Sequence, residues 1–328
     1  MKKALSLQSK CIKLMKKIVF ATFLGFSTGI LCAQDSKTAY NFLRLPVSAH
    51  AAALGGENIS ITDDDASMAF HNPALLSGVA DKTINLNFMT YMEGTKTASA
   101  GFVKALGDRA TWFVGAQYID YGEMKHTTEN GEILGNVTSK DIMICGALEY
   151  NLTNRLSGGI TAKFISSDLA GYNSLAVGVD LGLNYYDDET NFSLSAVAKN
   201  LGGQIKAYVD DFEPMPIDLQ LGVTKRILES PIRLSLTMTR LNDWNERFAN
   251  HFVIGADILL SENIYIAGGY NMRRAKEMKI TDDEGSSSHG AALSFGAGLQ
   301  LNRFKLQLAY GKYHISASSI NVNLSYAL

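Results

Sequence analysis

Ser174-Leu-Ala-Val-Gly-Val-Asp-Leu-Gly-Leu-Asn-Tyr-Tyr186 decides how this chain is read. Leu175, Val177, Val179, Leu181, Leu183 and Tyr185 fall on one side of an extended strand. Ser174, Ala176, Gly178, Asp180, Gly182 and Asn184 fall on the other. Successive side chains of a strand point to opposite faces, so this segment has one apolar and one small or polar face. The pattern recurs in Ile217–Thr224, Ile232–Thr239 and Phe304–Gly311.

Extended over Lys82–Leu328, the same reading predicts 14 strands: 82–91, 97–104, 111–121, 140–150, 156–166, 174–186, 190–199, 216–226, 231–240, 250–259, 263–271, 289–300, 303–311 and 317–328. Most approach the roughly 9–11 residues that a tilted strand needs to cross a bilayer. The connections alternate in length. The odd ones include 122–139, 200–215 and 272–288. The even ones, 105–110, 151–155, 187–189, 227–230, 260–262 and 301–302, are all short. Transmembrane barrels put long loops outside and short turns in the periplasm, whereas a soluble sandwich has no reason to sort loops by parity. The expected fold is all-β, a transmembrane antiparallel β-barrel. Lys163, Asp180, Asp218, Arg233, Asp257 and Lys305 are expected to face its lumen. Tyr91, Tyr121, Tyr150, Tyr186, Tyr270 and Tyr310, near strand ends, are expected to form an interfacial girdle. The last strand, with Ile320, Val322, Leu324, Tyr326 and Leu328 on one face, resembles the terminal signal read by barrel-insertion machinery.

The N-terminus reads differently. Lys16 and Lys17 precede the apolar run Ile18–Ala33, a pattern expected of a secretory signal peptide cut after Ala33. Met15 would open a compact leader by itself. A retained anchor is the rival reading, but the run is short for a span. Cys32 follows Leu31 rather than a small residue, against lipidation. The organisation expected is a signal peptide at 1–33, an N-terminal hatch or plug at 34–80 and a barrel at 81–328. Apolar residues make up 46% and charged residues 19%, which excludes a long disordered chain. Of 30 Lys and Arg, six lysines lie in the leader, so 24 remain against 32 Asp and Glu, a net charge of −8. No basic face suits nucleic acid. Cys145 alone remains of three cysteines, so no intrachain disulfide forms.

No catalytic constellation emerges. His50, His71, His126, His251, His289 and His314 are scattered without zinc-helix spacing. Neither a nucleophile elbow nor a P-loop is present, and no enzyme activity or cofactor is expected. Asp63-Asp64-Asp65 could hold a cation, against the plainer reading of a solvated turn or helix N-terminus. Thr281–Gly285 and Ser286–Ser288 read as a mobile loop tip. Arg273, Arg274, Lys276 and Lys279 form a basic cluster that could meet lipopolysaccharide phosphates or stay solvated. In the loop 200–215, Tyr208, Asp210, Asp211 and Phe212 suit a partner-docking patch; folding over the barrel mouth is the alternative.

Tyr40-Asn-Phe-Leu-Arg-Leu-Pro-Val-Ser-Ala-His-Ala-Ala-Ala-Leu-Gly-Gly56 resembles the start of the PorV/PorQ group of FadL-like outer-membrane proteins. Asn72, Pro73, Ala74 and Leu75 match the Asn-Pro-Ala element of their hatch. Leu86–Tyr91, Gly178–Tyr186 and Ala198–Gly203 extend the likeness over nearly the whole mature chain, nearest to its PorQ-like members. The resemblance implies a FadL-like barrel of 14 strands with an N-terminal hatch. It also implies a place in the type IX secretion attachment complex, anchoring a PorZ-like surface protein beside PorU and PorV. It supplies no catalytic residues. The alternative is a FadL-type transporter of hydrophobic small molecules; an open porin would leave residues 34–80 unhoused. The lumen face, rich in Gly, Ala, Ser and Thr, leaves room for a plug.

Overall fold

The computed structural model describes residues 38–91, 94–128, 130, 132–282, 285–287, 290–314 and 317–328. The expected signal peptide lies outside the described residues. The chain runs through β1 (Thr83–Thr90), β2 (Lys96–Leu106), β3 (Ala110–Thr127), β4 (Ile133–Asn151), β5 (Leu156–Leu169) and β6 (Tyr172–Asp187). It continues through β7 (Phe192–Lys206), β8 (Asp218–Arg226), β9 (Ile232–Met238), β10 (Phe252–Leu259) and β11 (Ile264–Asn271). A short pair, β12 (Ile280–Asp282) and β13 (Gly285–Ser287), precedes β14 (Leu293–Leu301), β15 (Phe304–His314) and β16 (Ala317–Ala327).

All of these except the β12–β13 pair form one closed antiparallel barrel of fourteen strands. The first and last strands shut it, in register from Thr83 opposite Ala327 to Met89 opposite Asn321. Closure satisfies every strand edge, as a wall in lipid requires. Each predicted strand has its counterpart, and the alternation has the expected sense. On β6, Val177, Leu181 and Leu183 stand outward, 43–49% exposed, while Gly178, Asp180 and Gly182 are buried inward. The belt continues through Val114, Ile144, Leu148, Phe295, Leu306 and Leu308, all exposed. A closed wall with an apolar exterior is built for hydrocarbon, not water. Lys163, Asp180, Asp218, Asp257 and Lys305 are buried inward, and Arg233 also turns to the lumen.

Residues 38–80 form no strand. They contain α1 (Ala49–Ala53) and 3-10 turns at Asn41–Arg44, Ala66–Phe70 and Pro73–Gly78. This plug fills the barrel, and the apolar core lies between plug and wall rather than between layers of wall. Phe42, Leu43, Phe70 and Leu76 pack with Phe113, Ile119, Met143 and Ile165. Phe70 meets Phe113 edge-on at 5.1 Å between ring centroids.

Four expectations need correction. The segment 122–139 is mostly strand: β3 and β4 continue past the wall as a ribbon, with register shifts at Asp120/Glu123 and His126/Thr127. Both faces of that ribbon are wet, so no apolar alternation marks it. Likewise β7 runs to Lys206, leaving 207–217 as the connection. The tip at 281–288 carries the paired β12 and β13. Finally, Tyr150, Tyr270 and Tyr310 stand outward, but Tyr91, Tyr121 and Tyr186 line interior cavities. Those three share the parity of the inward Met89, Ile119 and Asn184.

The exterior belt sets a depth-dependent expectation. Leu181→Arg should destabilise the inserted barrel by about 2–4 kcal/mol if it lies near the bilayer midplane, and Tyr150→Arg, outward at the end of β4, by about 0–1. Unfolding in lipid vesicles checks the contrast; equal effects at the two depths would remove the bilayer placement.

Candidate functional site

The plug is seated by its Asn-Pro-Ala-Leu element. Asn72, fully buried, caps the following 3-10 turn: its Oδ1 accepts from Ala74 N at 2.9 Å, and its Nδ2 donates to Ile59 O at 2.8 Å. Pro73 opens the turn, where its missing N–H costs nothing. Ser157 Oγ on β5 donates to Ala74 O at 2.7 Å, and Leu75 packs with Ala51 and Met68. The wall makes room with glycine. A Cβ on Gly159 would stand 2.5 Å from the Pro73 carbonyl carbon, and one on Gly182 would overlap Asn72 Oδ1. These four residues therefore hold the plug against β5 and β6.

A polar bolt fastens the opposite side. His50 Nε2 lies 2.8 Å from Asp257 Oδ1 on β10, and His50 Nδ1 lies 3.4 Å from Asp63 Oδ2. Arg233 on β9 joins both acids, donating to Asp63 from Nη1 at 2.7 Å and Nη2 at 3.0 Å, and to Asp257 from Nε at 2.8 Å. Tyr265 stacks on His50 at 4.1 Å, and Lys305 Nζ donates to Asp64 O at 3.0 Å. Burial acts to raise the Asp63 carboxyl, but Arg233, Lys305 and His50 outweigh it and hold it well below the usual carboxylate range. Deeper in the plug, His71 Nε2 accepts from Ser48 N at 3.3 Å. Burial, helped by Lys199 and Lys163, holds its imidazole well below the usual range.

The acidic triplet is thus spent on the protein. Asp63 pairs with Arg233, Asp64 Oδ1 accepts from Ala80 N at 2.8 Å, and Asp65 caps Ala66–Phe70 through Ser67 N at 2.9 Å. Among the described residues no cluster of three metal-ligating side chains occurs. Arg273 and Arg274, expected with Lys276 and Lys279 as an outward basic cluster, lie on and beside α2 (Met272–Glu277) but are buried toward the mouth. Lys276 pairs with Glu246 at 2.5 Å, and Lys279 is exposed.

At the end bearing the longer connections, a cavity of about 460 Å³ lies between the plug's start and the wall. Tyr40, Tyr121, Leu169, Tyr172, Tyr208 and Val209 line much of it. Tyr208 Oη donates to Ser167 Oγ at 2.6 Å and Tyr121 Oη to Asp141 Oδ2 at 2.6 Å, so both rings are fixed by their polar tips. Tyr40 hydrogen-bonds Ser174 and stands 6.1 Å from the Tyr208 ring. Of the four loop residues singled out from sequence, Tyr208 folds over this cavity. Asp210, Asp211 and Phe212 remain exposed, Phe212 at 65%.

Sequence reasoning missed the bolt and the aromatic cavity. The signals were present separately: Arg233 and Asp257 have lumen parity, and Tyr40 and His50 lie in one continuous segment. Nothing local says that His50 meets a residue 207 positions away.

No protein-family model matches the sequence, and no curated protein matches it. Solved structures do. The Pseudomonas putida toluene transporter TodX superposes with a TM-score of 0.58 at 15% identity, over 86% of this chain and 98% of that one. The CymD monoaromatic hydrocarbon channel gives 0.58 at 15%, over 86% and 97%. A Pseudomonas aeruginosa FadL homologue gives 0.54 at 10%, over 85% and 98%. At these identities the likeness is one of fold: the chain has the architecture of FadL-type outer-membrane barrels.

Proposed function

We propose that this chain resides in the outer membrane and takes up hydrophobic small molecules in the manner of FadL-type channels. The observation that carries the reading is the aromatic cavity at the mouth. Its size falls within the usual range of about 300–1,000 Å³ for small-molecule sites, and its apolar walls carry tethered polar tips. One of its walls is the plug itself, through Thr38, Ala39, Tyr40 and Asn41. A guest therefore touches the element that must move for passage. The structural neighbours are described as transporters of toluene and monoaromatic hydrocarbons, compounds that a cavity of this size and lining would accept.

A second reading is favoured by a separate observation. Val209 and Phe212 are 68% and 65% exposed beside Asp210, Asp211 and Glu213, an aromatic and acidic patch on an outer loop. Such a patch suits protein docking, and with the resemblance of the Tyr40–Gly56 segment it supports a PorQ-like role. In that role the barrel anchors a PorZ-like surface protein, with PorU and PorV, in a type IX secretion attachment complex.

One paired measurement separates the two: uptake of a hydrophobic aromatic probe and surface retention of the PorZ-like partner. Tyr40→Ser with Tyr208→Ser opens the cavity wall; Asp211→Ser with Phe212→Ser strips the patch without touching the cavity lining. The channel reading expects uptake to fall several-fold in the first variant, with the partner retained. The anchoring reading expects release of the partner in the second, with uptake unchanged; losing a true hot spot costs about 2 kcal/mol or more. Normal uptake in the first variant, with the barrel correctly inserted, removes the channel reading.

A further inference from the structure

The mouth holds another cavity, of about 600 Å³, on the β9–β15 side, and it is lined by charge rather than by aromatic rings. Its cations and acids largely pair off. Arg273 meets Asp243 at 3.2 Å and Glu277 at 3.7 Å, Arg240 meets Glu277 at 3.5 Å, and Lys276 meets Glu246. Glu57 accepts from Gln220 Nε2 at 3.3 Å. Arg274 departs from this pattern. It is 5% exposed, and no carboxylate pairs with it among the described residues. Its Nη2 is fixed by Ala292 O at 3.3 Å and Ser294 Oγ at 2.6 Å, while Nε and Nη1 have no acceptor. The guanidinium lies over the Tyr313 ring at 4.5 Å. The Tyr313 hydroxyl stands close to Arg274 and Ser294 but makes no well-formed hydrogen bond to either.

Both unpartnered donors border one point. A Cβ on Gly56 would lie 3.1 Å from Tyr313 Oη and 3.6 Å from Arg274 Nη1. Gly56 has φ of +96°, a conformation that disfavours any other residue, so this corner stays free of side chain. A buried guanidinium without a counter-charge is costly, and unpaired donors beside it add to the cost. An oxyanion over Gly56 relieves both, because it supplies the charge and accepts from both donors.

We propose that Arg274 and Tyr313 form an anion site in the mouth, holding a carboxylate or phosphate group over Gly56. The site is separate from the aromatic cavity and independent of which of the two functional readings holds. Its chemistry fits either a free oxyanion or the phosphate of a lipid headgroup reaching into the mouth.

The test uses the purified full-length barrel in detergent, titrated calorimetrically at constant ionic strength. Inorganic phosphate and acetate form one arm, and a phosphorylated lipid in mixed micelles the other. Saturable binding is expected, weakened at least about 10-fold in Arg274→Gln, since hydrogen bonds to charged groups are the strong ones. Tyr313→Phe, which removes one oxygen and leaves the ring, should weaken it about 2- to 10-fold. Lys276→Gln should bind normally. Resistance to unfolding without heating verifies that each variant is a barrel. Arg274-dependent binding of the free ions supports the site and identifies a soluble source. The same dependence confined to the lipid arm supports the site and identifies the headgroup. Overturning results are no saturable binding in either arm, or equal affinity in wild type and both site variants.

Discussion

Replacing Arg233 by Met should free the plug and leave the wall intact. Arg233 is the only arginine or lysine that bridges Asp63 of the plug to Asp257 of β10 among the described residues. Without it, Asp257, 1% exposed on its side chain, retains His50 alone as a partner. Removing one member of a buried ion pair costs about 3–5 kcal/mol, because the charge left behind is uncompensated. Strand pairing is untouched, so the barrel should still resist unfolding until heated, while residues 38–80 become sensitive to added protease. Arg226→Met is the control. Arg226 sits directly opposite Arg233 across β8 and β9 and is exposed, so its loss should change stability by about 0.5 kcal/mol or less. An unchanged cleavage pattern in Arg233→Met would mean that the bolt does not hold the plug.

Acidity offers an independent handle on the same element. Asp63 is depressed in the folded plug, so its contribution is full above the ordinary carboxylate value near 3.8 and is lost only as pH falls through its lowered value. It therefore adds no loss between pH 7 and about 4. His71 behaves differently. Its folded value is lowered, so below about 6.5 the unfolded plug takes up a proton that the folded plug does not. Stability associated with His71 is full above that point and declines as pH falls below it. Plug release by protease should accelerate on acidification, and His71→Leu should flatten that part of the profile. Glu57, pushed up by burial, contributes to both profiles, so their difference isolates His71.

The wall was legible because lipid and lumen impose unlike demands on alternate residues. Leu181 and Gly182 could not exchange places: one faces the exterior, and the other would collide with Asn72. The small lumen face, Gly159 and Gly182 included, pointed to a plug inside the barrel, though not to which of its residues come closest. The ribbon above β3 and β4 escaped notice because Glu123–Thr127 and Ile133–Thr138 bury neither face, and period-2 patterning exists only where one face is excluded from water. The tyrosines misled for a related reason. Tyrosine suits an interfacial girdle and a half-polar lumen equally, so position near a strand end did not decide between them; parity with Met89, Ile119 and Asn184 did. The bolt was hidden by distance along the chain. His50, Asp63, Arg233 and Asp257 are individually ordinary, and only closure of the barrel around the plug brings them together.

Gly159→Leu should expel the plug from its seat and raise conductance through the barrel. At this position a Cβ would meet the Pro73 carbonyl carbon at 2.5 Å, Ala74 N at 2.6 Å and Pro73 O at 2.7 Å. These are backbone atoms, so no side-chain rotation relieves the clash. The wall cannot yield, because β5 is paired along its length to β4 and β6. Nor can the turn shift alone, since Asn72 is tied to Ile59 O and Ala74 O to Ser157. Overpacking a well-filled interior costs about 1–3 kcal/mol even where side chains can adjust, and here the opposing atoms cannot. Gly146→Leu is the matched comparison: Gly146 faces outward on β4, and its Cβ would meet nothing within 4 Å. Planar-bilayer recordings should therefore show larger conductance for Gly159→Leu and wild-type behaviour for Gly146→Leu, with both proteins heat-modifiable. A closed, fully stable Gly159→Leu barrel would mean that the Asn72–Leu75 turn does not press on this wall, and the seat assigned to it would have to be abandoned.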